Sequence, residues 1–162
     1  MITLIVLISF YLEGILGNII HTNYLIPLFS ILSLIIIYPY LFNQKKEYFI
    51  ICFIIGLLYD ISYTDTLFLN AFIFLIMGYI ISVINIFITN NTLNVTIISI
   101  IIVSLYRIFT YLVLIFINYI DKDINMLINS ITSSLLINIL YIIIMYIITD
   151  LISKKKGIYK MD

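Results

Sequence analysis

The chain has 162 residues, 64% of them hydrophobic and 10% charged, with a mean hydropathy of +1.25. A soluble domain carries about 25% charged residues, and a fold this small has too little interior to hide so much apolar surface, so lipid is the main solvent. Zero net charge leaves no basic field for nucleic acid, one cysteine excludes a disulfide framework, and one histidine without a cysteine cluster argues against a zinc or iron site.

A helix needs about 20 apolar residues to cross a hydrocarbon core of about 30 Å, and by that rule the sequence predicts six crossings. The first, over 2–20, lacks a basic leader and an A-x-A-like cleavage site and carries Glu13 inside its apolar run, so it reads as a retained helix rather than a signal peptide. Ser9, Glu13, Gly17 and His21 recur every four residues and share one face. His21, at the outer end, reads as a solvated interface residue rather than a ligand. The second crossing, 24–42, has Pro27 in its first turn, where a missing N–H is harmless, and Pro39 near its end. The polar link from Asn43 to Glu47 leads into a short third segment, 48–61, with Cys52, Gly56 and Asp60 on one face. Cys52 reads as a small packing residue.

The turn from Ser62 to Thr66 leads to the fourth segment, 67–88. There Asn70, Gly78 and Ser82 share a face flanked by Ala71 and Asn85, a spacing that permits close helix approach in a membrane. The fifth segment, 95–119, carries Arg107 near its middle; the sixth, 126–152, carries a stripe of Ser130, Ser134 and Asn138. Lys154, Lys155 and Lys156 then read as a topology anchor with affinity for anionic lipid, with protein docking as the alternative. The expected fold is an all-α integral membrane protein, six transmembrane helices in one bundle, with residues 1–162 a single polytopic domain. Lys45, Lys46, Lys154, Lys155, Lys156 and Lys160 fall on one side of such a bundle and Lys122 on the other, which places both termini in the cytoplasm.

Glu13, Asp60 and Arg107 each lie about twelve residues into an outward-running segment, at a similar depth of roughly 17 Å. A charge at mid-bilayer costs about 2.5–3.5 kcal/mol, so Arg107 is expected to neutralise Asp60 or Glu13 across a helix interface. A proton or ion path needs a longer chain of such groups, and structural glue is the favoured reading. Asp60 and Asn70 are expected to meet across a hairpin, with Asp60→Asn mild because it keeps hydrogen bonding. No nucleophile stands beside a base, and no H-E-x-x-H or phosphate-cradling loop is present, so nothing points to an enzyme or to a cofactor.

The run Gly56-Leu57-Leu58-Tyr59-Asp60, followed by Asn70-Ala71-Phe72 and then Gly78-Tyr79, resembles the MreD family of rod shape-determining proteins. The resemblance extends over essentially the whole chain and includes the Leu105-Tyr106 pair. Two positions depart from the family pattern: Phe68 stands where glycine is common, and Arg107 stands where an acid often follows the tyrosine. The resemblance implies a non-catalytic component of the cell-elongation machinery in the bacterial cytoplasmic membrane. It would scaffold peptidoglycan synthesis and regulate cell shape with a bitopic MreC-like protein and, indirectly, an MreB-like actin, a RodA-type glycosyltransferase and a class B penicillin-binding protein. The six-helix arrangement would resemble the S components of energy-coupling-factor transporters. That likeness supplies the alternative, a substrate-binding subunit of a vitamin-type transporter. The first helix has Gly14-x-x-Gly17 rather than the A-x-x-x-A docking element of such subunits, and the outer links are short, which weighs against it. The structural or interaction candidates are Glu13, Gly56, Asp60, Asn70, Gly78, Tyr79 and Arg107. The candidate partner faces are Gly14/Gly17, Ala71/Gly78/Ser82 and Ser130/Ser134/Asn138.

Overall fold

The computed structural model describes residues 1–19, 26–64, 66 and 68–157. These form six helices: α1 (Ile2–Ile19), α2 (Phe29–Leu41), α3 (Lys45–Tyr63), α4 (Leu69–Phe87), α5 (Thr92–Phe116) and α6 (Ile124–Lys156). His21, the Thr22-Asn23 link and the end of the tail with Lys160 lie outside the described residues. All six predicted segments are therefore helical, and α1, α4, α5 and α6 are long and apolar enough to cross a membrane. The other two depart from the rule that identified them. α3 has the length but opens on Lys45, Lys46 and Glu47, whereas α2 has 13 residues. At 1.5 Å per residue α2 is about 20 Å long, short of a hydrocarbon core of about 30 Å.

α2 is the centre of the molecule. It packs against each of the other five helices, and every one of its residues except Tyr40 is buried. A helix that is apolar all round has no face to offer water, so it belongs in a core or in lipid; here five neighbours make it a core. Its two serines need no outside partner for one hydroxyl, since Ser33 Oγ donates to the Ser30 carbonyl oxygen at 2.6 Å. Around α2 the chain makes two close hairpins, α3–α4 and α5–α6, with α1 packed mainly on α2. The outward faces remain apolar: Leu4, Leu7, Tyr11 and Ile15 of α1 are exposed, as a lipid-facing surface requires.

The helix boundaries differ from those predicted, for local reasons. α2 begins at Phe29, so Pro27 precedes the helix instead of lying in its first turn. The nearby backbone groups of Ile26 and Leu28 bond to Asn138 of α6 instead. α3 starts inside the polar link, with Glu47 in its first turn, where a carboxylate is favoured by the helix dipole. α6 continues through Lys154 and Lys155 to Lys156, where cations are favoured at a C-terminus, and stops at Gly157 in the left-handed conformation, φ 61°.

Candidate functional site

The backbones of α3 and α4 approach closely at Gly56. A Cβ there would lie 2.5 Å from Ala71 Cα and 2.7 Å from the Asn70 carbonyl oxygen, so only a hydrogen lets α3 meet α4 at this point. One turn further toward the start of α3, the Cys52 side chain lies against Gly78, whose Cβ would sit 2.6 Å from Cys52 Sγ. The face carrying Cys52, Gly56 and Asp60 is thus the one that α4 covers.

This contact delivers Asp60 to the start of α4. Its Oδ1 accepts from the Asn70 backbone N–H at 3.1 Å, from Asn70 Nδ2 at 2.9 Å and from the Thr66 hydroxyl at 2.8 Å. Its Oδ2 accepts from the Ala71 N–H at 3.1 Å. The first N–H groups of a helix lack intrahelical partners and carry partial positive charge, so a carboxylate brought from the previous helix acts as the cap. Phe68, at the N-cap position, has no side-chain capping bond and is in the left-handed conformation, φ 66°. A glycine at this position would take that conformation without steric cost.

From Asn70 the polar contacts continue around the bundle. Tyr106 of α5 donates its hydroxyl to Asn70 Oδ1 at 2.8 Å. The next residue, Arg107, donates Nε–H to the Ser134 hydroxyl of α6 at 2.8 Å, and Ser134 donates to the Ser130 carbonyl oxygen at 2.7 Å. One turn on, Asn138 accepts from the Leu28 N–H at 2.8 Å and donates to the Ile26 carbonyl oxygen at 3.0 Å, which fixes the entry to α2. Glu13 of α1 completes that entry: its Oε2 accepts from the Ser30 N–H at 2.7 Å. Two acids therefore do the same work in two places, Glu13 from α1 at the start of α2 and Asp60 from α3 at the start of α4. Together these contacts form a belt with at least one residue from every helix.

The expected ion pair is not formed. Arg107 lies near enough to Glu13 to attract it, yet no salt bridge joins Arg107 to Glu13 or to Asp60. Asp60 is occupied by amide and hydroxyl donors, and Arg107 turns to α6. Glu13 Oε1 and Arg107 Nη2 are buried without a hydrogen-bond partner among the described residues. The partner faces also need correcting. Ala71, Gly78 and Ser82 face into the bundle, with Cys52 against Gly78, so this face is already used within the chain. Ser134 and Asn138 are likewise buried; Gly14 sits under the Tyr63 hydroxyl, whereas Gly17 is exposed with nothing packed against it among the described residues. Tyr79 is separate from the belt, 62% exposed on the outer face of α4 with Phe72 and Ile76.

Sequence reasoning placed Asp60 beside Asn70 but missed Tyr106 as the next partner and Asn138 as the clasp of α2. Tyr106 stood in the Leu105-Tyr106 pair and Asn138 in the polar stripe, so both were visible as residues but not as contacts. Chemically the belt satisfies backbone groups and joins helices. Among the described residues no group of three or more His, Cys, Asp or Glu side chains is placed to hold a metal ion.

A family model described as rod shape-determining protein MreD matches residues 1–156. No curated protein and no solved structure matches the chain.

Proposed function

This chain belongs to the MreD family of rod shape-determining membrane proteins, and from that premise we propose that it is a non-catalytic scaffold of the bacterial cell-elongation machinery. In this reading it lies in the cytoplasmic membrane as six crossings with both termini inside, α2 being carried across within the bundle rather than by contact with lipid. It works with a bitopic MreC-like protein and, through it, with an MreB-like actin and the RodA-type glycosyltransferase and class B penicillin-binding protein that build peptidoglycan. The family match over residues 1–156 carries the proposal. The belt supports it, because its groups serve as helix caps and clasps rather than as a nucleophile with a base. The burial of the Ala71/Gly78/Ser82 face leaves the ridge of Phe72, Ile76 and Tyr79 as the surface on α4 for a partner helix.

The test is depletion and replacement. Cells lacking the protein are expected to round up and to recover rod shape when it is restored. Its bitopic partner is expected to co-purify with wild type and to be lost with Tyr79→Ala plus Phe72→Ala at unchanged membrane abundance. Tight binding of a water-soluble vitamin by the purified protein, with rod shape indifferent to its loss, would overturn this reading in favour of a transporter subunit.

A further inference from the structure

A cleft of about 590 Å³ lies between the start of α4 and the second half of α5. Its polar wall includes Thr66, Asn70, Arg107 and Thr110, and its apolar wall includes Leu114 and Ile117. This is within the roughly 300–1,000 Å³ range of small-molecule sites. The cleft exists because α4 and α5 contact one another much less than either contacts its hairpin partner. Thr64, Thr66 and Tyr119 also line it, so the cleft lies at the end of the bundle where the α3–α4 and α5–α6 links run.

The charges beside it are unevenly matched. Asp60 lies behind Thr66 and Asn70, and its two oxygens are already met by hydroxyl, amide and helix N-terminal donors. Glu13, the other acid near Arg107, has Oε2 bonded to the Ser30 N–H and Oε1 buried without a partner among the described residues, and makes no ion pair with Arg107. Arg107 keeps one hydrogen bond, to a neutral hydroxyl; its Nη2 is buried without a partner among the described residues, and the partly exposed side chain lines the cleft. A guanidinium in this state lacks an oxyanion of the bidentate kind that phosphate provides. Thr110 also lines the cleft, its hydroxyl donating to the Tyr106 and Arg107 carbonyl oxygens of its own helix, and the neighbouring Leu114 and Ile117 suit a glycerol and the first carbons of an acyl chain.

We propose that the α4–α5 cleft binds the phosphodiester headgroup of an anionic phospholipid, with Arg107 as its counter-charge. The membrane setting rests on the family assignment, but the site does not depend on any partner of the elongation machinery. A phosphodiester and inorganic phosphate share the oxyanion chemistry, and the apolar wall favours the lipid.

The experiment is native mass spectrometry of the full chain in detergent, titrated with short-chain phosphatidylglycerol or phosphatidylcholine, with inorganic phosphate as competitor. Phosphatidylglycerol is expected to bind about tenfold more tightly than phosphatidylcholine, the size of one charge-assisted contact. Arg107→Gln is expected to abolish the preference. Leu114→Trp, which fills the cleft and leaves the Arg107–Ser134 bond in place, is expected to abolish binding at this site even if Arg107→Gln fails to fold. Replacing Lys154, Lys155 and Lys156 by Gln is expected to leave the preference intact. Undiminished preference in a folded Arg107→Gln protein, undiminished binding in Leu114→Trp, loss of the preference with the lysines, or full displacement by equimolar inorganic phosphate would each overturn the proposal. Rod shape is a separate readout, so failure here leaves the elongation reading untouched.

Discussion

Asp60 shows how much one carboxylate does when the chain places both oxygens against donors. The sequence suggested that Asp60→Asn is mild because hydrogen bonding survives. The geometry reverses that expectation: Oδ1 and Oδ2 both accept, so an amide turns an N–H toward an N–H. A buried donor left unsatisfied costs about 1–3 kcal/mol, and Asp60→Asn is expected to lower stability by about that amount in thermal unfolding in detergent. Asp60→Leu is expected to cost more, since both helix-start donors lose their acceptor. Combined with Asn70→Leu, its cost should fall short of the sum of the two, because the shared bond is lost once. Strict additivity would show that the bond contributes nothing. The neighbouring Phe68 gives the opposite prediction. Its left-handed backbone costs about 1–2 kcal/mol for an L side chain, part of which the greater freedom of an unfolded glycine offsets. Phe68→Gly is expected to raise stability by about 1 kcal/mol; a fall would mean that the half-exposed ring contributes more than the strain.

Among the elements, the α3–α4 hairpin depends on glycine in two unequal ways. At Gly56 the obstacle to a Cβ is backbone, Ala71 Cα and the Asn70 carbonyl, which cannot move without displacing the helix that Asp60 caps. At Gly78 the closest obstacle is the Cys52 sulfur. Overpacking a tight core costs about 1–3 kcal/mol. Gly56→Ala is therefore expected at the top of that range or beyond it, and Gly78→Ala near the bottom. The distinguishing measurement is rescue: Cys52→Ala should restore most of the stability lost in Gly78→Ala and none of that lost in Gly56→Ala. Equal rescue of both would mean that the two helices separate as rigid bodies and that backbone contact at Gly56 does not fix their distance. α2 depends on its neighbours differently. It has no capping side chain of its own, and its entry is held by Glu13 from α1 and Asn138 from α6. The central helix is thus fastened by the first and last helices of the chain.

For the whole molecule, the belt joins helices distant in sequence, with contacts spanning 110 and 112 residues between Asn138 and the entry to α2. Interhelical hydrogen bonds in membranes average about 0.6 kcal/mol, so no single one holds the bundle. Their joint effect is to fix which helix faces which, where apolar packing alone distinguishes little. Orientation is expected to follow the lysines. Reporter fusions at Gln44 and after Asp162 should report the cytoplasm, and a fusion at Asp123 the opposite side. A cytoplasmic signal at Asp123 would leave α5 and α6 as something other than an outward and inward pair, and the six-crossing reading would fail.

Composition and apolar run length determined that the chain is helical and lives in lipid, because both are properties of the amount of apolar surface rather than of its arrangement. The spacing of Gly56 and Asp60, followed by Asn70, determined the hairpin contact, because residues on one helical face reach their neighbours across a short turn. Long-range partners were not legible. In lipid an isoleucine facing the bundle and one facing the membrane are chemically alike, so nothing in α2 marks it as the central helix. Nor does charge alone select a partner: Arg107 stood opposite two acids in any count of ionisable groups, yet both acids are bonded to the N–H groups at helix starts. Those N–H donors belong to the backbone, are the same in every sequence, and acquire a position only when the helices have packed.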